Sequence, residues 1–441
     1  MNERSTLKAN KCGHLEIGGC DALELAKQFG TPLYVYDEDY IRKTMRIFKD
    51  TLIKYYAGNG NVLYASKAFS CMAMYVIAKQ EEIGCDAVSG GELYTALKAG
   101  FDVKNIFVHG NNKTLEELEQ AVESGVGGIV IDSYREADIL NEIAGQKQIK
   151  QPVLIRVNPG VEAHTHAFVQ TARTDSKFGF AIADGTALDY VKHVLSLKNL
   201  DLKGYHCHIG SQIFEKQSFV LAAEKMMDFI LQVKNNTGFE ATTLNLGGGF
   251  GIYYTDDDPK MKHEDYAEYL KALIDAIKGK CAAHGLRLPY LLIEPGRAIV
   301  GEAGITLYTV GAIKDIVGIR KYVAIDGGMF ENPRYALYQS KYTALKASDV
   351  YAENVQKVSI AGKCCESGDL IGVDIPLPEV KPGDILAVLS TGAYHYSMAS
   401  NYNRNLIPQA VLVKDGKAEV IIKKQTYEDI IRNDVIPESL H

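Results

Sequence analysis

No stretch of this 441-residue chain is long and apolar enough to cross a membrane, and Met1-Asn2-Glu3-Arg4 opens without the apolar core of a secretory leader. The expected location is therefore the cytoplasm, with no membrane partner. None of the eight cysteines (Cys12, Cys20, Cys71, Cys85, Cys207, Cys281, Cys364 and Cys365) falls in CxxC spacing, and their density is far below that of a small disulfide scaffold. Free thiols in a reducing compartment are the simplest account. Basic charge is also short: 48 Lys and Arg stand against 55 Asp and Glu, for a net charge of -7. With no basic stripe to neutralise phosphates, nucleic acid is not expected as a partner. Low-complexity segments and flexible linkers are absent as well.

What is present is ordinary globular material, 46% hydrophobic and 23% charged, in a chain long enough for two domains. From about residue 62 apolar strands alternate with amphipathic helices. The strand candidates are 62–66, 83–88, 105–108, 127–131, 153–157, 203–208, 242–246 and 290–294. Helical patterns lie near 71–81, 90–99, 114–124, 134–144, 184–196, 215–235 and 263–283. Eight strands with intervening helices over roughly 250 residues are the signature of a (β/α)8 TIM-type barrel. A doubly wound open sheet would want a glycine fingerprint after its first strand, and none is there. Beyond Glu294 the segments 305–317, 320–326, 356–361, 369–375, 384–390, 409–413 and 417–423 read as strands between Gly, Pro and Asp turns, with a helix only at Tyr427 to Asn433. This is an all-β barrel or sandwich domain, completed by short β-type pieces in residues 1–36. The expected division is 37–295 for the barrel, and 1–36 with 296–441 for the β domain.

In such a barrel the C-terminal strand ends share one rim, where active sites sit. Those ends carry Lys67, Asp86, His109, Asp132, Arg156, His208, Gly247 to Gly249 and Glu294. Lys67 closes the apolar run Val62 to Ser66; a lysine held among apolar neighbours is disfavoured as an ammonium and becomes a usable amine nucleophile. The bland alternative is a solvated surface lysine. For Asp132 a helix cap is the preferred reading.

Gly247-Gly248-Gly249-Phe250-Gly251 follows the seventh strand, and Glu294-Pro295-Gly296-Arg297 the eighth, the usual phosphate position in such barrels. Glu294 could keep a heteroaromatic nitrogen protonated, or simply pair with Arg297. Alternation puts His206 and His208 on one face, but no third ligand cluster stands out, so no metal is expected. An imidazole lying flat on a cofactor ring, followed by the Ser211 hydroxyl for phosphate, fits His208 better. His164 and His166 read as loop residues. Cys364-Cys365-Glu366-Ser367-Gly368-Asp369 marks a tight turn, and two adjacent cysteines bridge only with strain. Arg334 and Tyr338 share a face if their segment is helical.

Together Gly30-Thr31-Pro32-Leu33-Tyr34-Val35-Tyr36-Asp37, Tyr64-Ala65-Ser66-Lys67-Ala68, Asn158-Pro159-Gly160-Val161 through Asp175-Ser176-Lys177-Phe178-Gly179, His208-Ile209-Gly210-Ser211, Glu294-Pro295-Gly296-Arg297 and Cys365-Glu366-Ser367-Gly368-Asp369 resemble the fold-type III pyridoxal-phosphate-dependent decarboxylases, nearly end to end. The stretches Ala361 to Cys364 and Arg404 to Ile407 depart from the family pattern. The resemblance implies an alanine racemase-like architecture and pyridoxal 5'-phosphate as cofactor. It assigns Lys67 to carry the cofactor, His208 to its ring face and Glu294 to its ring nitrogen. Ser211, Gly247, Gly248, Gly249, Pro295, Gly296, Arg297 and Tyr394 would surround it, most of them at or beside the phosphate. Arg297, Arg334, Tyr338, Glu366 and Tyr394 would bind substrate. Cys365 would donate a proton across a homodimer interface. The substrate it implies is meso-diaminopimelate; the alternatives are another basic amino acid of the ornithine, arginine or lysine type, or a binding homologue without chemistry.

Overall fold

The computed structural model describes residues 7–161 and 176–440, so Met1 to Arg4, His164, His166 and Asp175 lie outside the described residues. The chain forms two compact units: Arg42–Ile252 with Pro259–Ile299, and the residues up to Ile41 with Tyr253–Asp258 and the segment from Val300 onward.

The first unit is a closed parallel barrel. Its strands are β1 (Gly60–Ala65), β2 (Gly84–Ala87), β3 (Ile106–Val108), β4 (Gly128–Ile131), β5 (Gln151–Asn158), β6 (Leu200–His206), β7 (Thr243–Asn245) and β8 (Tyr290–Ile293). Each pairs with the next, and β8 returns to β1 with Leu291 opposite Gly60. A short extra strand, Phe180–Ala181, pairs in parallel with the last two residues of β5. The strands are buried throughout β2 and β4, as expected where a parallel sheet is covered on both faces. Leu63, Val130, Leu154 and Leu292, with Phe107, pack together inside the barrel. Gly204, at a register shift in β6, has φ +156°, and a Cβ there would meet Thr243 O at 1.8 Å, so only glycine fits.

The helices α1 (Met72–Gln80), α2 (Gly90–Lys98), α3 (Leu115–Ser124), α4 (Tyr134–Gln146), α5 (Thr186–Ser196), α6 (Lys216–Thr237) and α7 (His263–His284) follow their strands as the periodicity predicts. Ser89 and Ser133 cap α2 and α4, and Thr114 opens α3 in a capping box. The cap expected of Asp132 thus belongs to its neighbour Ser133; Asp132 Oδ1 instead accepts from Gly179 N at 2.6 Å. A further helix, Glu38–Tyr56, has no counterpart in the sequence reading. It buries Ile41, Met45, Phe48, Leu52 and Tyr56, a spacing of three and four that the sequence does display. Phe48 anchors it, with its ring 4.9 Å from that of Phe250 and 5.4 Å from that of Tyr266.

The second unit is built on the thirteen-residue strand Gly304–Ile316. It runs antiparallel to Leu33–Asp37, Arg320–Ile325 and Ile385–Val388. Leu33–Asp37 also pairs in parallel with Ala410–Lys414, so an N-terminal strand lies between two C-terminal ones. The core beneath includes Leu15, Ile17, Leu25, Leu33, Val35, Ile305, Leu307, Val411 and Val413. The N-terminal residues hold strands Leu15–Ile17 and Cys20–Asp21, but Ala22–Phe29 is a helix, started by Asp21 accepting from Leu23 N at 2.8 Å. All eight cysteines are free. No helix among the described residues is long and apolar enough to cross a membrane.

The packed floor of the barrel yields a stability prediction. Leu292, 1% exposed, has no room to be replaced by collapse inside a closed sheet. Leu292→Ala should cost about 2–5 kcal/mol, measured by denaturant unfolding followed through the barrel's helical signal. A loss below about 1 kcal/mol would show that the floor is not close-packed.

Candidate active site

Lys67 stands in a single turn of 3-10 helix, Ser66–Ala68, directly after β1. Two acids, buried Asp86 and half-buried Glu92, pin that turn from the neighbouring unit of the barrel. Ser66 N donates to Asp86 Oδ1 at 2.9 Å, and Ser66 Oγ donates to Glu92 Oε2 at 3.0 Å. Lys67 itself is exposed between buried Ser66 and Ala68. The apolar surround expected of it is absent: its charge is felt by Asp86, Glu92 and His208. Burial pushes Asp86 well above the usual carboxylate range, the charge of Glu294 adds to this, and Lys67 opposes it. Burial raises Glu92 as well, against the Val88 N–H, Ser66 and Lys67.

Opposite, Glu294 follows β8 and turns into the barrel. Asn245 Nδ2, at the end of β7, donates to its Oε1 at 2.7 Å. His109 Nε2 lies 2.9 Å from the same oxygen and His206 Nε2 3.3 Å from Oε2. Burial alone would raise Glu294, but His109 and His206 outweigh it and hold the carboxyl well below its ordinary range. The same burial lowers both imidazoles, His206 to about 4. One ligand atom from each of His109, His206 and Glu294 lies within 4.8 Å of the others, a spacing that also suits a metal ion. The third member missing beside the His206 and His208 pair in the sequence is thus supplied by β3 and β8, and His208 is not part of the group.

His208 is half-buried, and burial with the charges of Lys67 and Arg156 drives its pKa well below the ordinary value. Its Nδ1 accepts from Gly248 N at 3.3 Å, as a neutral ring can. The glycines here are demanded by close backbone approach. A Cβ at Gly248 would meet Glu294 O at 2.1 Å, and one at Gly249, φ +109°, would meet Gly210 O at 2.5 Å. A Cβ at Gly296 would press on Ala65, whose N–H donates to Pro295 O at 3.2 Å. Arg297 donates from Nε and Nη2 to Ser211 Oγ at 3.2 and 2.9 Å. Glu294 therefore faces imidazoles and Arg297 faces a hydroxyl.

Arg156, at the end of β5, stacks on Phe178 at 4.2 Å, and its charge opposes the burial that lifts Asp132 to about 6. Asn245, Glu92 and Ser66 were not singled out by sequence. Asn245 carried the same strand-end signal as its neighbours, whereas Glu92 reads as the third residue of a capping box and only the fold aims it at Ser66.

In the second unit Arg334 opens the short helix Arg334–Tyr338, so the conditional face it shares with Tyr338 is real. It is 6% exposed, with its guanidinium carbon 5.0 Å from the Tyr338 ring and 5.3 Å from that of Tyr394. Its Nε has no hydrogen-bond partner among the described residues. Tyr394 holds φ +68°, a strained position for a side chain of that size. The segment before Arg334 is fixed by buried Glu331, which accepts from Tyr308 OH at 2.7 Å and which burial lifts to about 8. Cys365 and Glu366 are exposed at a turn organised by buried Asp369, whose oxygens accept from Cys364 N and Met329 N, each at 2.6 Å. A Cβ at Gly362 would sit 2.2 Å from that carboxylate. Cys365 N donates to Asn403 Oδ1 at 2.7 Å.

The barrel residues suit a phosphorylated pyridine aldehyde. Ser211 and Arg297 are polar and cationic partners for a phosphate, and the Gly249 N–H has no acceptor among the described residues. Glu294 is kept anionic for a ring nitrogen, and Lys67 presents an accessible amine.

The comparisons with known proteins agree. Residues 38–301 match the family model for the pyridoxal-binding domain of pyridoxal-dependent decarboxylases. Diaminopimelate decarboxylase of Bacillus subtilis is 50% identical over 431 residues, spanning 98% of this chain and 97% of the relative. The Staphylococcus aureus enzyme of that name is 48% identical, over 97% of this chain and 99% of its own. A crystal structure of diaminopimelate decarboxylase from M. jannaschii in complex with L-lysine covers 100% of both chains at 35% identity, with a TM-score of 0.90. The chain belongs to the pyridoxal-dependent decarboxylases, in their diaminopimelate decarboxylase branch.

Proposed function

We propose that this protein removes one carboxyl group from meso-2,6-diaminopimelate, releasing CO2 and L-lysine in the last step of lysine biosynthesis, as a cytoplasmic homodimer using pyridoxal 5'-phosphate. The observation that carries the reading is the agreement, over essentially the whole chain, with diaminopimelate decarboxylases, one of them solved with the proposed product.

Bound in the barrel, pyridoxal phosphate supplies an electron sink for the bond to the departing carboxylate. The residues of the chain do the rest. Lys67 would hold the cofactor through its amine, the group for which the amino groups of substrate and product would compete. Glu294, anionic in its buried position, keeps a proton on the ring nitrogen. His208, a neutral ring, would pack against the cofactor's ring. Ser211, Gly247, Gly248, Gly249, Gly296 and Arg297 hold the phosphate, with Pro295 and Tyr394 beside it. Arg297 and Tyr394 also meet substrate, as does Glu366. Arg334 and Tyr338 take the distal carboxylate: a buried guanidinium with an unpaired Nε is suited to an anion and repels the distal ammonium of ornithine or lysine. The thiol of Cys365 delivers the proton that replaces the lost carboxylate. Its exposed turn serves the site of the other protomer in the dimer.

Three measurements test these roles. Borohydride reduction of the cofactor-loaded protein, followed by peptide mapping, should label Lys67; a label on a different lysine would overturn its assignment. Arg334→Ala should lose about 10²-fold or more in kcat/KM on meso-diaminopimelate while still binding the cofactor. Arg334→Lys should recover little, because an ammonium cannot reproduce the two-pronged grip. Efficient turnover of ornithine or lysine by the wild type would contradict the substrate. Finally, mixing inactive Lys67→Ala with inactive Cys365→Ala protein should restore part of the activity through hybrid dimers. Mixtures that stay inactive although their subunits exchange would place each site within one chain.

A further inference from the structure

The environment of Glu294 extends past the residues assigned above. His109 comes from the end of β3 and His206 from β6; both are buried, at 4% and 1% exposure, and their rings meet edge to face with centroids 4.8 Å apart. Both direct Nε2 toward the Glu294 carboxylate. Asn245 joins them from β7, with its amide orientation fixed because its Oδ1 accepts from Gly247 N at 2.9 Å. A carboxylate enclosed to this degree would take up a proton if it stood alone. Two hydrogen bonds reach it, from Asn245 to Oε1 at 2.7 Å and from His206 to Oε2 at 3.3 Å, and His109 Nε2 stands 2.9 Å from Oε1 without hydrogen-bond alignment, so Oε1 is crowded by two groups and Oε2 by one.

His206 works as a neutral donor, and His109 adds its Nε2 edge beside Oε1. His206 Nδ1 has no partner among the described residues, so a proton there would bury an unsatisfied N–H beside a second ring. With Nε2 protonated and Nδ1 bare, His206 donates to Glu294 and leaves only a weak acceptor unpaired. The other groups that act on the cluster are Arg156, on His109, His206 and Glu294, Lys113 on His109, Asp86 and Cys207 on Glu294, and His208 on His206 and Glu294. Lys113 is already satisfied by Gly110 O, Val130 O and Glu136 Oε1.

We propose that His109 and His206 are positioning residues for the cofactor's ring nitrogen, acting through Glu294 by holding its carboxylate ionised and turned so that Oε2 receives a ring N–H. The inference rests on the pyridoxal-phosphate reading above and deepens it. Neither histidine touches substrate in this account. Their effect is confined to the protonation of one atom of the cofactor.

The test compares binding of pyridoxal phosphate with binding of its 1-deaza analogue, in which the ring nitrogen is a C–H group, using fluorescence titration of the cofactor-free protein. The wild type should prefer pyridoxal phosphate by about tenfold or more, the span of one charge-assisted hydrogen bond. His109→Leu and His206→Leu should lose most of that preference while binding the analogue as the wild type does. His109→Gln and His206→Gln should retain it in part, because an amide N–H can donate in place of Nε2–H. A purely structural role would weaken both compounds alike, and that outcome overturns the proposal, as does an unchanged preference in the leucine variants. Should the leucine variants fail to fold by thermal melting, the 15N resonance of ring-labelled pyridoxal phosphate on the wild type decides. It should report a protonated nitrogen from about pH 6 to about pH 9, and a deprotonated one overturns the proposal. A wild type that binds pyridoxal phosphate without discriminating against the analogue refutes this inference alone; one that binds neither compound refutes the cofactor reading with it.

Discussion

The arrangement of the barrel mouth depends on the pairing of β8 with β1. Residues 291–293 align with residues 60–62, and this closes the sheet. Lys67 and Glu294 are more than two hundred positions apart in the chain, yet closure places their strands side by side. The glycines enforce how tightly the neighbouring loops approach. Gly248 packs on the carbonyl of Glu294, and Gly296 packs on Ala65, the last residue of β1. A methyl group at either point would push apart the loops that carry the carboxylate and the amine. The same approach brings the Gly248 N–H to His208 Nδ1, so a packing constraint also gives that imidazole nitrogen its donor.

Charge at this mouth is managed by hydrogen bonds more than by direct ion pairs. Asp86 and Glu294 are buried and Glu92 half-buried, but the three carboxyl groups differ in their partners. Asp86 accepts from a backbone N–H and is pushed up by burial and then by the charge of Glu294; Glu294 faces two imidazoles and an amide and is pushed down. Two acids in one cavity with opposite tendencies are a familiar way to divide proton-holding from charge-holding work. The acids around Lys67 also explain why its turn is rigid while its side chain is accessible: the clamp grips Ser66, not the amine. In the second unit Asp369 has the analogous part, since one buried carboxylate gathers the backbone of Cys364 and Met329 and shapes the turn bearing Cys365 and Glu366.

By itself the sequence determined the architecture. Strands of four to eight residues alternating with longer amphipathic segments admit few packings, and a glycine-poor first turn removes the open sheet, so the closed barrel and the β-rich unit were legible from periodicity. The helix Glu38–Tyr56 is equally legible in the spacing of Ile41, Met45, Phe48, Leu52 and Tyr56, although it lies before the strand-helix alternation begins. Strand-end residues marked the rim because a barrel presents all its strand C-termini on one face, which makes position along each strand sufficient to list candidates. Tertiary structure alone decided which candidates meet. It assigned the capping of α4 to Ser133 and tied Asp132 to Gly179. It surrounded Lys67 with carboxylates where apolar neighbours were expected, and it gathered His109, His206 and Asn245 around Glu294. The physical reason is that a strand's alternation tells which side a residue faces, whereas its partner across a barrel depends on shear, closure and the rotation of each loop, none of which is written in local spacing.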